Sequence, residues 1–465
     1  MLACVHACFA ELNQEEYDLN NNYVSDAWET EVLENEKVTT SSVKVFIASK
    51  VEENVEEVIM PPVSAPNHRN SRVQALQRLA IQREPLPSLS VTTPSSSKAT
   101  LNTLPEVSGI TPRLAFRHLT TGPSADQNRF SRLRKLFTCE ISSKTTHATG
   151  DVDLERLRED CWMGIPHRLR PYAWRILSGY VPTCAAERQS TVNQKRSSYW
   201  EFVTEHYPKR LEEEHSQTFR QIHIDIPRMC PLIPLFQQDV VQEIFERILF
   251  IWAIQHPESG YVQGINDLVT PFFVVYLSEF IPADIELGSF QVSQLPLEQL
   301  QLIEADCFFC IRSLLHSIED NYILEQPGIQ RKVKELESLT SRVDKTLHDH
   351  LISNGIEFLQ FSFRWMNNIL MREIPLRATI RLWDTYLCEP DGFSQFHNYV
   401  CSAFLRKWSR QIQMEKDFQG IIIFLQNLPT QSWGDREICE LTADAYSLMS
   451  VFDGARRHFQ SPVCL

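Results

Sequence analysis

The chain lacks the features of a nucleic-acid-binding, membrane-spanning or nucleotide-cradling protein. Its formal net charge is −14 over 465 residues, so it has no basic field that could neutralise phosphate backbones. The same shortage of positive charge disfavours binding to an anionic membrane surface. The longest apolar run, from Leu268, is interrupted by Pro271 and Glu279 and is too short to span a bilayer. No G-x-x-x-x-G-K-[ST] pattern is present, so no phosphate-cradling loop is predicted.

Signals for secretion and lipid attachment are also missing. The first residues contain no basic region before an apolar segment, and Cys464 stands where no prenylation box can form. We therefore expect the 12 cysteines to be reduced thiols of a cytoplasmic protein. Cys307 and Cys310 form a C-x-x-C, but no second pair stands at zinc-site spacing and their neighbours form an apolar helical run. We expect both thiols in the core and predict no metal site.

The sequence changes character near residue 125. Residues 1–59 are acidic: the first 60 residues contain 13 Asp and Glu against three lysines. Residues 60–124 are rich in Pro, Ser and Thr and contain little apolar material to offset chain entropy, which predicts a disordered linker. Residues 125–455 are predicted to form one folded domain. The acidic segment could bind an unidentified basic partner, inhibit the domain, or do neither.

From about Asp151 onward the hydrophobic pattern is helical, with no convincing series of strands and no internal repeat. Apolar residues recur at helical spacing from Val240 until the His256–Pro257 step, which disfavours further helix. A second helix is predicted through residues 358–370, and a third after an Asp417 cap. A long surface insertion is expected at residues 283–300. These patterns predict a single large all-α domain.

Two polar positions in this domain fit a structural role. Arg170 precedes Trp174 by one helical turn, so the guanidinium could stack on the indole or bond helix-end carbonyls. Asp384 lies in a helix that is predicted to be buried, and a buried carboxylate needs a partner. Arg377 and Arg381 are the expected candidates.

Two further stretches contain polar side chains that packing alone does not explain. QIHIDIPRMC, residues 221–230, alternates as a strand does, stops at a proline and presents Arg228 near Asp225. SGYVQGINDL places Tyr261 and Gln263 on a glycine-flanked loop that leads into an apolar helix. An isolated Arg228–Asp225 ion pair on a surface loop is the simpler alternative, and such pairs contribute little.

Taken in order, these motifs resemble the three fingerprints of the TBC domain, the all-helical module of Rab GTPase-activating proteins. The flanking stretches FERILFIWAIQHPESGYVQGINDLVTPFFVV and IRLWDTYLCEPDGFS resemble its member twenty-two subgroup. The resemblance covers about residues 155 to 455, and it departs from many members at Pro171, where they have glycine. The three motifs are Arg170-x-x-x-Trp174, Ile222-x-x-Asp225-x-x-Arg228 and Tyr261-x-Gln263.

The resemblance implies a protein that binds a Rab GTPase in its GTP form, completes the active site of the Rab and has no catalytic activity of its own. Arg228 would be an arginine finger and Gln263 a glutamine finger that orients the attacking water. GTP and Mg²⁺ would arrive with the Rab, so no cofactor of this chain is implied. The resemblance also implies a cytoplasmic regulator of vesicle trafficking that Rab partners recruit to endomembranes. Four further residues would support the fingers: Asp225, Tyr261, Arg170 and Trp174. Asp225 would hold the Arg228 side chain poised, and Tyr261 would help to set the Gln263 loop.

Two other functions are weighed against this one. A non-catalytic helical scaffold would bind a Rab or another partner without accelerating hydrolysis, but the presence of both finger residues favours catalysis. A hydrolase built on His348 and His350 is disfavoured, because histidines two apart on a helix point in different directions.

Overall fold

The computed structural model describes residues 123–137, 150–282 and 285–459, and the side chains of all of these except 123–127 and 453–459. These residues form α-helices and short 3₁₀ segments with no strand among them, which confirms the all-α prediction. The predictions for residues 1–59 and for nearly all of 60–124 lie outside the described residues. The boundary predicted at residue 125 falls in the first turn of a helix that begins at Pro123.

The described part of the chain contains sixteen α-helices: α1 (Pro123–Leu136), α2 (Leu154–Cys161), α3 (Arg170–Leu177), α4 (Ala185–His206), α5 (Glu213–Asp225), α6 (Asp239–Gln255), α7 (Ile265–Leu277), α8 (Leu297–Ser317), α9 (Pro327–Val343), α10 (Lys345–Ser353), α11 (Phe358–Asn367), α12 (Leu376–Cys388), α13 (His397–Lys407), α14 (Ser409–Met414), α15 (Phe418–Gln426) and α16 (Asp435–Phe459). Six 3₁₀ segments lie between them: Tyr207–Leu211, Ile226–Arg228, Pro234–Gln237, Leu287–Ser289, Val292–Gln294 and Glu319–Asn321. A π-helical turn spans Gly392–Phe396.

Helix α7 lies at the centre of the core. All of its residues are buried, and it packs against α3, α6, α8 and α12. A helix that is apolar on every side is stable only when other elements surround it. Because α7 is held on all sides, the loop at its N-terminal end has a fixed position. Cys307 and Cys310 lie in this core on α8, as predicted.

Most of the predicted helices are confirmed, including the end of α6 at Gln255 and the Asp417 cap of α15, whose carboxylate accepts a hydrogen bond from the Gly420 amide. The predicted helix through residues 358–370 is too long, because α11 ends at Asn367. Ile369 and Leu370 are buried, but their φ angles of 52° and 61° take the chain out of the helix.

Two other segments differ from what their sequence patterns suggest. The strand-like alternation in residues 221–230 belongs to the end of α5: Ile222 and Ile226, four apart, are both fully buried, while Ile224 between them is exposed. Burial therefore follows the helical repeat and not the repeat of two. The described part of the insertion expected at residues 283–300, residues 285–300, is anchored by buried Leu287 and Val292, although about half of its residues are exposed.

The packing of that segment has a specific anchor. The Gln238 amide donates to the Phe290 carbonyl oxygen at 2.7 Å and accepts from the Val292 amide at 2.8 Å. Such a side chain satisfies backbone groups that no helix satisfies. No helix in the described ranges combines the length and the hydropathy needed to cross a membrane.

Candidate functional site

Arg228 lies at the end of a short turn that is fixed at its first residue. Helix α5 ends at Asp225, and the chain tightens into the 3₁₀ turn Ile226–Arg228. Ile226 is fully buried, whereas Arg228 is exposed. Among the described residues, no hydrogen bond or ion pair engages the Arg228 guanidinium. Its planar donor fork is therefore available to an incoming ligand.

Gln263 lies on the loop between α6 and α7, directly before the Gly264 N-cap of α7. Its side chain is exposed and makes no hydrogen bond within the described ranges. Its backbone, in contrast, is fixed: the Asn367 side-chain amide donates to the Gln263 carbonyl oxygen at 3.2 Å, and the Asn368 amide donates to the Gly264 carbonyl oxygen at 3.2 Å. The loop is held while the glutamine side chain projects from it.

Gly264 is required at this position for two reasons. Its φ of 106° lies in the region that L-residues with a side chain rarely adopt. A Cβ atom added there would also lie 2.5 Å from Asn367 Nδ2. A larger residue would therefore displace the amide that holds the Gln263 carbonyl oxygen.

The two loops are joined by Tyr261 and Asp225. The Tyr261 hydroxyl donates to Asp225 Oδ2 at 2.9 Å. Burial raises the pKa of Asp225, while the Tyr261 hydrogen bond and the charges of Arg228 and Arg372 oppose that rise. The expectation that Asp225 holds the Arg228 side chain directly is wrong, because no hydrogen bond or ion pair joins the two residues in the described structure. Arg228 influences Asp225 only through its charge.

A buried polar network extends from this link. Asp267, near the start of α7, accepts hydrogen bonds at Oδ2 from Asn368 Nδ2 at 3.0 Å and from Arg372 Nε at 2.8 Å. Asn266 Oδ1 accepts from the Gly264 amide at 3.1 Å. The network ties the start of α7 to the end of α11 through side chains that are about 100 positions apart in sequence.

The sequence contains a signal for this network outside the three motifs. Asn367 and Asn368 are adjacent in the apolar run RWMNNILM, and both are buried. Buried amides must be hydrogen-bonded, so a neighbouring pair in such a run indicates a polar contact with another element. Asp267, a carboxylate in the apolar first turn of α7, likewise indicates a polar contact with another element.

Arg170 and Trp174 do not join this network. Asp384, which is fully buried, accepts hydrogen bonds from Arg170 Nε and Nη2, both at 2.9 Å, and from Trp174 Nε1 at 2.7 Å. It also accepts from the Ile165 amide at 2.9 Å. The expectation that Arg170 stacks on Trp174 or bonds helix-end carbonyls is therefore wrong. Both side chains instead bind the same carboxylate. Both side chains are buried around this carboxylate, which favours a structural role.

The prediction that Arg377 or Arg381 pairs with Asp384 is also wrong. Arg381 Nη1 donates to Thr385 Oγ1 at 3.0 Å, and its Nη2 reaches Cys439 Sγ. Arg377 donates to the carbonyl oxygens of Ser432 and Trp433. Sequence proximity on one helix suggested these arginines, whereas the fold brings Arg170 from a distant helix to the carboxylate.

Trp174 nevertheless connects this centre to the site. Its ring contacts Phe272 of α7 edge-on at 5.4 Å, and it stacks on Trp383 at 6.2 Å. Aromatic contacts of this kind stabilise the packing of the elements that carry them. The Asp384 centre thus helps to fix α7, whose N-terminal end carries the Gln263 loop.

The site as a whole presents one guanidinium and one amide from two fixed loops. Among the described residues, no group of three or more His, Cys, Asp and Glu side chains is arranged to hold a metal ion. The arrangement suits donation of hydrogen bonds to a ligand that another molecule brings.

Comparison with known proteins identifies the family. A family model described as the Rab-GTPase-TBC domain matches residues 167–413. TBC1 domain family member 22B from Homo sapiens is 54% identical over 348 residues, which are 75% of this chain and 67% of that protein. GTPase-activating protein gyp1 from Schizosaccharomyces pombe is 46% identical over 315 residues, which are 66% of this chain and 60% of that protein.

A solved structure supports the same assignment. The crystal structure of the Ypt/Rab-GAP domain of Gyp1p is 41% identical and matches with a TM-score of 0.64, covering 70% of this chain and 99% of that chain. The shared fold and the family model, which spans more than half of this chain, agree on one conclusion: the chain belongs to the Rab-GTPase-TBC family of GTPase-activating proteins.

Proposed function

We propose that this domain stimulates GTP hydrolysis by a Rab-family GTPase by supplying Arg228 and Gln263 to the active site of the Rab. One observation carries the proposal: both side chains are exposed and without hydrogen-bond partners in the described structure, while the Tyr261–Asp225 hydrogen bond joins their loops. The yeast relatives are named GTPase-activating proteins, and the solved domain is a Ypt/Rab-GAP domain.

Arg228 would stabilise the transition state. As the γ-phosphoryl group transfers to water, negative charge builds on its oxygens and on the bridge to the β-phosphate. A guanidinium donates two parallel hydrogen bonds to such oxygens and remains charged at every physiological pH. The Arg228 guanidinium has no hydrogen-bond partner among the described residues. Its insertion into the active site of the GTPase therefore breaks no hydrogen bond within this chain.

Gln263 would orient the attacking water. A side-chain amide can accept a hydrogen bond from water through its oxygen and donate through its nitrogen. The Asn367 and Asn368 bonds fix the backbone at Gln263 and Gly264, so the amide needs little reordering when the GTPase binds.

We also propose which protein would supply each part of the active site. GTP and Mg²⁺ would be held by the Rab in its GTP form, and this chain would complete that site without catalysing hydrolysis on its own. We extend the proposal to the cell: the protein would be cytoplasmic, recruited to endomembranes by Rab partners, and would regulate vesicle trafficking.

The test is single-turnover GTP hydrolysis by a panel of purified Rab GTPases, each loaded with GTP and mixed with the full chain. At least one Rab should hydrolyse GTP far faster in the presence of the chain than alone. The same Rab, loaded with GDP, should form a stable complex with the chain only when a planar fluoride analogue of the transferring phosphoryl group is added. Binding of a Rab without any stimulation would replace the proposal with the scaffold function.

A further inference from the structure

An exposed leucine lies on a turn that is connected to the Gln263 loop. Leu324 is 85% exposed, more than any other large hydrophobic residue among those described. It lies between the 3₁₀ segment Glu319–Asn321 and helix α9. Isolated exposed apolar residues are common on protein surfaces and need no special explanation. The surroundings of Leu324 distinguish it from such residues.

The turn that carries Leu324 is closed by hydrogen bonds. The Gln326 amide donates to the Ile323 carbonyl oxygen at 2.9 Å and closes the turn around Leu324. The Gln330 side-chain amide donates to the Glu325 carbonyl oxygen at 2.7 Å. Glu325 and Gln326 have φ angles of 68° and 48°, a backbone conformation that is unfavourable for non-glycine residues. Backbone strain of this kind persists only where the surrounding structure imposes it, and it is concentrated at functional sites.

The turn is anchored to the same residue that holds the glutamine loop. The Tyr322 hydroxyl donates to the Asn367 carbonyl oxygen at 2.8 Å, and the Asn367 side-chain amide donates to the Gln263 carbonyl oxygen at 3.2 Å. On the other side, Lys332 Nζ donates to Asn321 Oδ1 at 2.9 Å, and both of these residues are buried. The leucine turn and the glutamine loop therefore share one fixed support, Asn367.

The loop of Arg228 also carries exposed apolar residues. Ile224 is 43% exposed and Leu232 is 52% exposed, four positions to either side of Arg228. Apolar side chains thus accompany both elements that present the proposed fingers. This arrangement fits a surface that binds a protein and does not fit a pocket for a small molecule.

We propose that Leu324 is an apolar anchor that docks the GTP-bound Rab-family GTPase on this domain. The inference rests on the proposed function, because it takes as its occupant the GTPase that meets Arg228 and Gln263. The matching surface on the GTPase would be an apolar patch beside its nucleotide. Because the closed turn already fixes the backbone that carries Leu324, binding has to order only the side chain, which is the property of a good interface anchor.

The expected effect separates docking from chemistry. Contact with Leu324 is made equally before and during hydrolysis, so it should affect KM and not kcat. In the complex the GTPase would bury the Leu324 side chain. Replacing it by serine would then remove an apolar contact whose loss corresponds to about tenfold to a hundredfold in affinity. Because the side chain is exposed in the free protein, the melting temperature should not change.

The experiment compares wild type, Leu324→Ser, Leu324→Met and the control Met414→Ser. Met414 is 72% exposed at the end of α14, a helix that packs on α10, α13 and α15. Two quantities are measured with a responsive Rab: Kd, with the Rab bound to a non-hydrolysable GTP analogue, and the KM and kcat of stimulated hydrolysis. Leu324→Ser should raise Kd and KM by about tenfold or more with kcat retained. Leu324→Met and Met414→Ser should resemble wild type.

The outcomes distinguish this inference from the proposed function. Equal Kd and KM for Leu324→Ser and wild type would overturn the docking role while leaving the finger mechanism intact. A loss of kcat at unchanged KM would overturn it as well. If wild type binds a Rab without stimulating hydrolysis, the finger mechanism fails, and a raised Kd for Leu324→Ser still supports docking. If wild type binds no Rab in the panel, both proposals fall.

Discussion

Two arginines of the family fingerprint, Arg170 and Arg228, have opposite surroundings. Arg170 is 9% exposed, and its guanidinium hydrogen-bonds to the fully buried carboxylate of Asp384. Arg228 is exposed and has no hydrogen-bonding or ionic partner among the described residues. A motif identifies both positions equally well, but only burial and bonding show what each arginine can do.

The difference follows from the cost of moving a charge. Withdrawing Arg170 would leave the buried Asp384 carboxylate without its hydrogen-bonded counter-charge, and breaking a buried ion pair typically costs about 3–5 kcal/mol. Arg228 is already solvated, so it can move to a phosphate oxygen without breaking a bond in its own chain. A side chain that binds a ligand needs hydrogen-bond donors that no residue of its own chain uses. A side chain that stabilises the fold needs those donors bonded within the chain.

The same contrast exists within the site. The side chains of Arg228 and Gln263 project freely, but the backbones that carry them are tied to Asn367, Asn368 and the Tyr261–Asp225 bond. Fixed support and free side chains together provide preorganisation, because little order has to be created when the GTPase binds.

The largest effect is expected for Arg228→Lys. Lysine keeps the charge but loses the planar fork, so stimulated kcat/KM should fall by about 10³-fold or more. The melting temperature should stay within about one degree, since exposed positions rarely affect stability. Single-turnover hydrolysis with a responsive Rab and thermal unfolding measure the two quantities.

The matched control for that change is Arg220→Lys, at an exposed arginine of helix α5, which leads into the turn that carries Arg228. It should leave both hydrolysis and stability unchanged. If Arg228→Lys stimulates hydrolysis as well as wild type with every responsive Rab, Arg228 is not the finger and the contrast with Arg170 loses its functional meaning.

A double substitution tests whether Arg228 and Gln263 act as one unit. Gln263→Ala alone should lower stimulated hydrolysis steeply, because the water loses its orienting amide. Adding it to Arg228→Lys should cost little more than the worse single change, since residues that act together are strongly non-additive. Losses that multiply across the pair would show that the two side chains act in independent steps.

Trp174→Phe tests the structural half of the comparison. Phenylalanine keeps an aromatic ring but removes the Nε1–H that donates to Asp384 at 2.7 Å. A lost hydrogen bond to a buried charge should lower the free energy of unfolding by about 1.5–3 kcal/mol. Denaturant unfolding measures this, and activity per folded molecule should be retained.

Trp383→Phe is the control for the lost ring volume. Trp383 is also fully buried and stacks on Trp174, but its Nε1 has no hydrogen-bond partner within the described structure. The Trp174 change should therefore be the more costly of the two. Equal stability losses would show that the hydrogen bond to Asp384 contributes nothing measurable, and full stability with lost stimulation would move Trp174 into the site.

The sequence predicted local features better than contacts between distant segments. Periodic apolar spacing predicted α6, and the Asp417 cap predicted the start of α15, because both signals lie within one element. The sequence suggested arginines of the same helix as hydrogen-bond partners of Asp384. Nothing in the sequence shows that Arg170, 214 positions away, binds that carboxylate. The packing of residues 285–300 was missed for the same reason.

The candidate site shows the same limit. The motifs drew attention to Arg228 and Gln263, and the structure places both on the surface with their loops joined. The bond that joins the loops runs from Tyr261 to Asp225, although Asp225 was expected to hold Arg228. Asn367 and Asn368 were not predicted at all, because their carbonyl partners belong to a loop about 100 residues earlier.

The smallest expected effect concerns Lys332, a buried cation that, unlike Arg170, has an amide oxygen for its hydrogen-bond partner. Burial lowers the pKa of Lys332 to about 8, below the 10.5 of an exposed lysine. Between these values the unfolded chain binds more protons than the folded one, so the cost of burying the charge falls as pH rises. Relative to Lys332→Met, wild type should gain about 1 kcal/mol of unfolding free energy from pH 8 to pH 9. Lys334 is exposed on the same helix, so Lys334→Met should change the unfolding free energy with pH as wild type does. If the unfolding free energies of wild type and Lys332→Met change identically with pH, Lys332 remains charged in the folded protein at a nearly normal pKa.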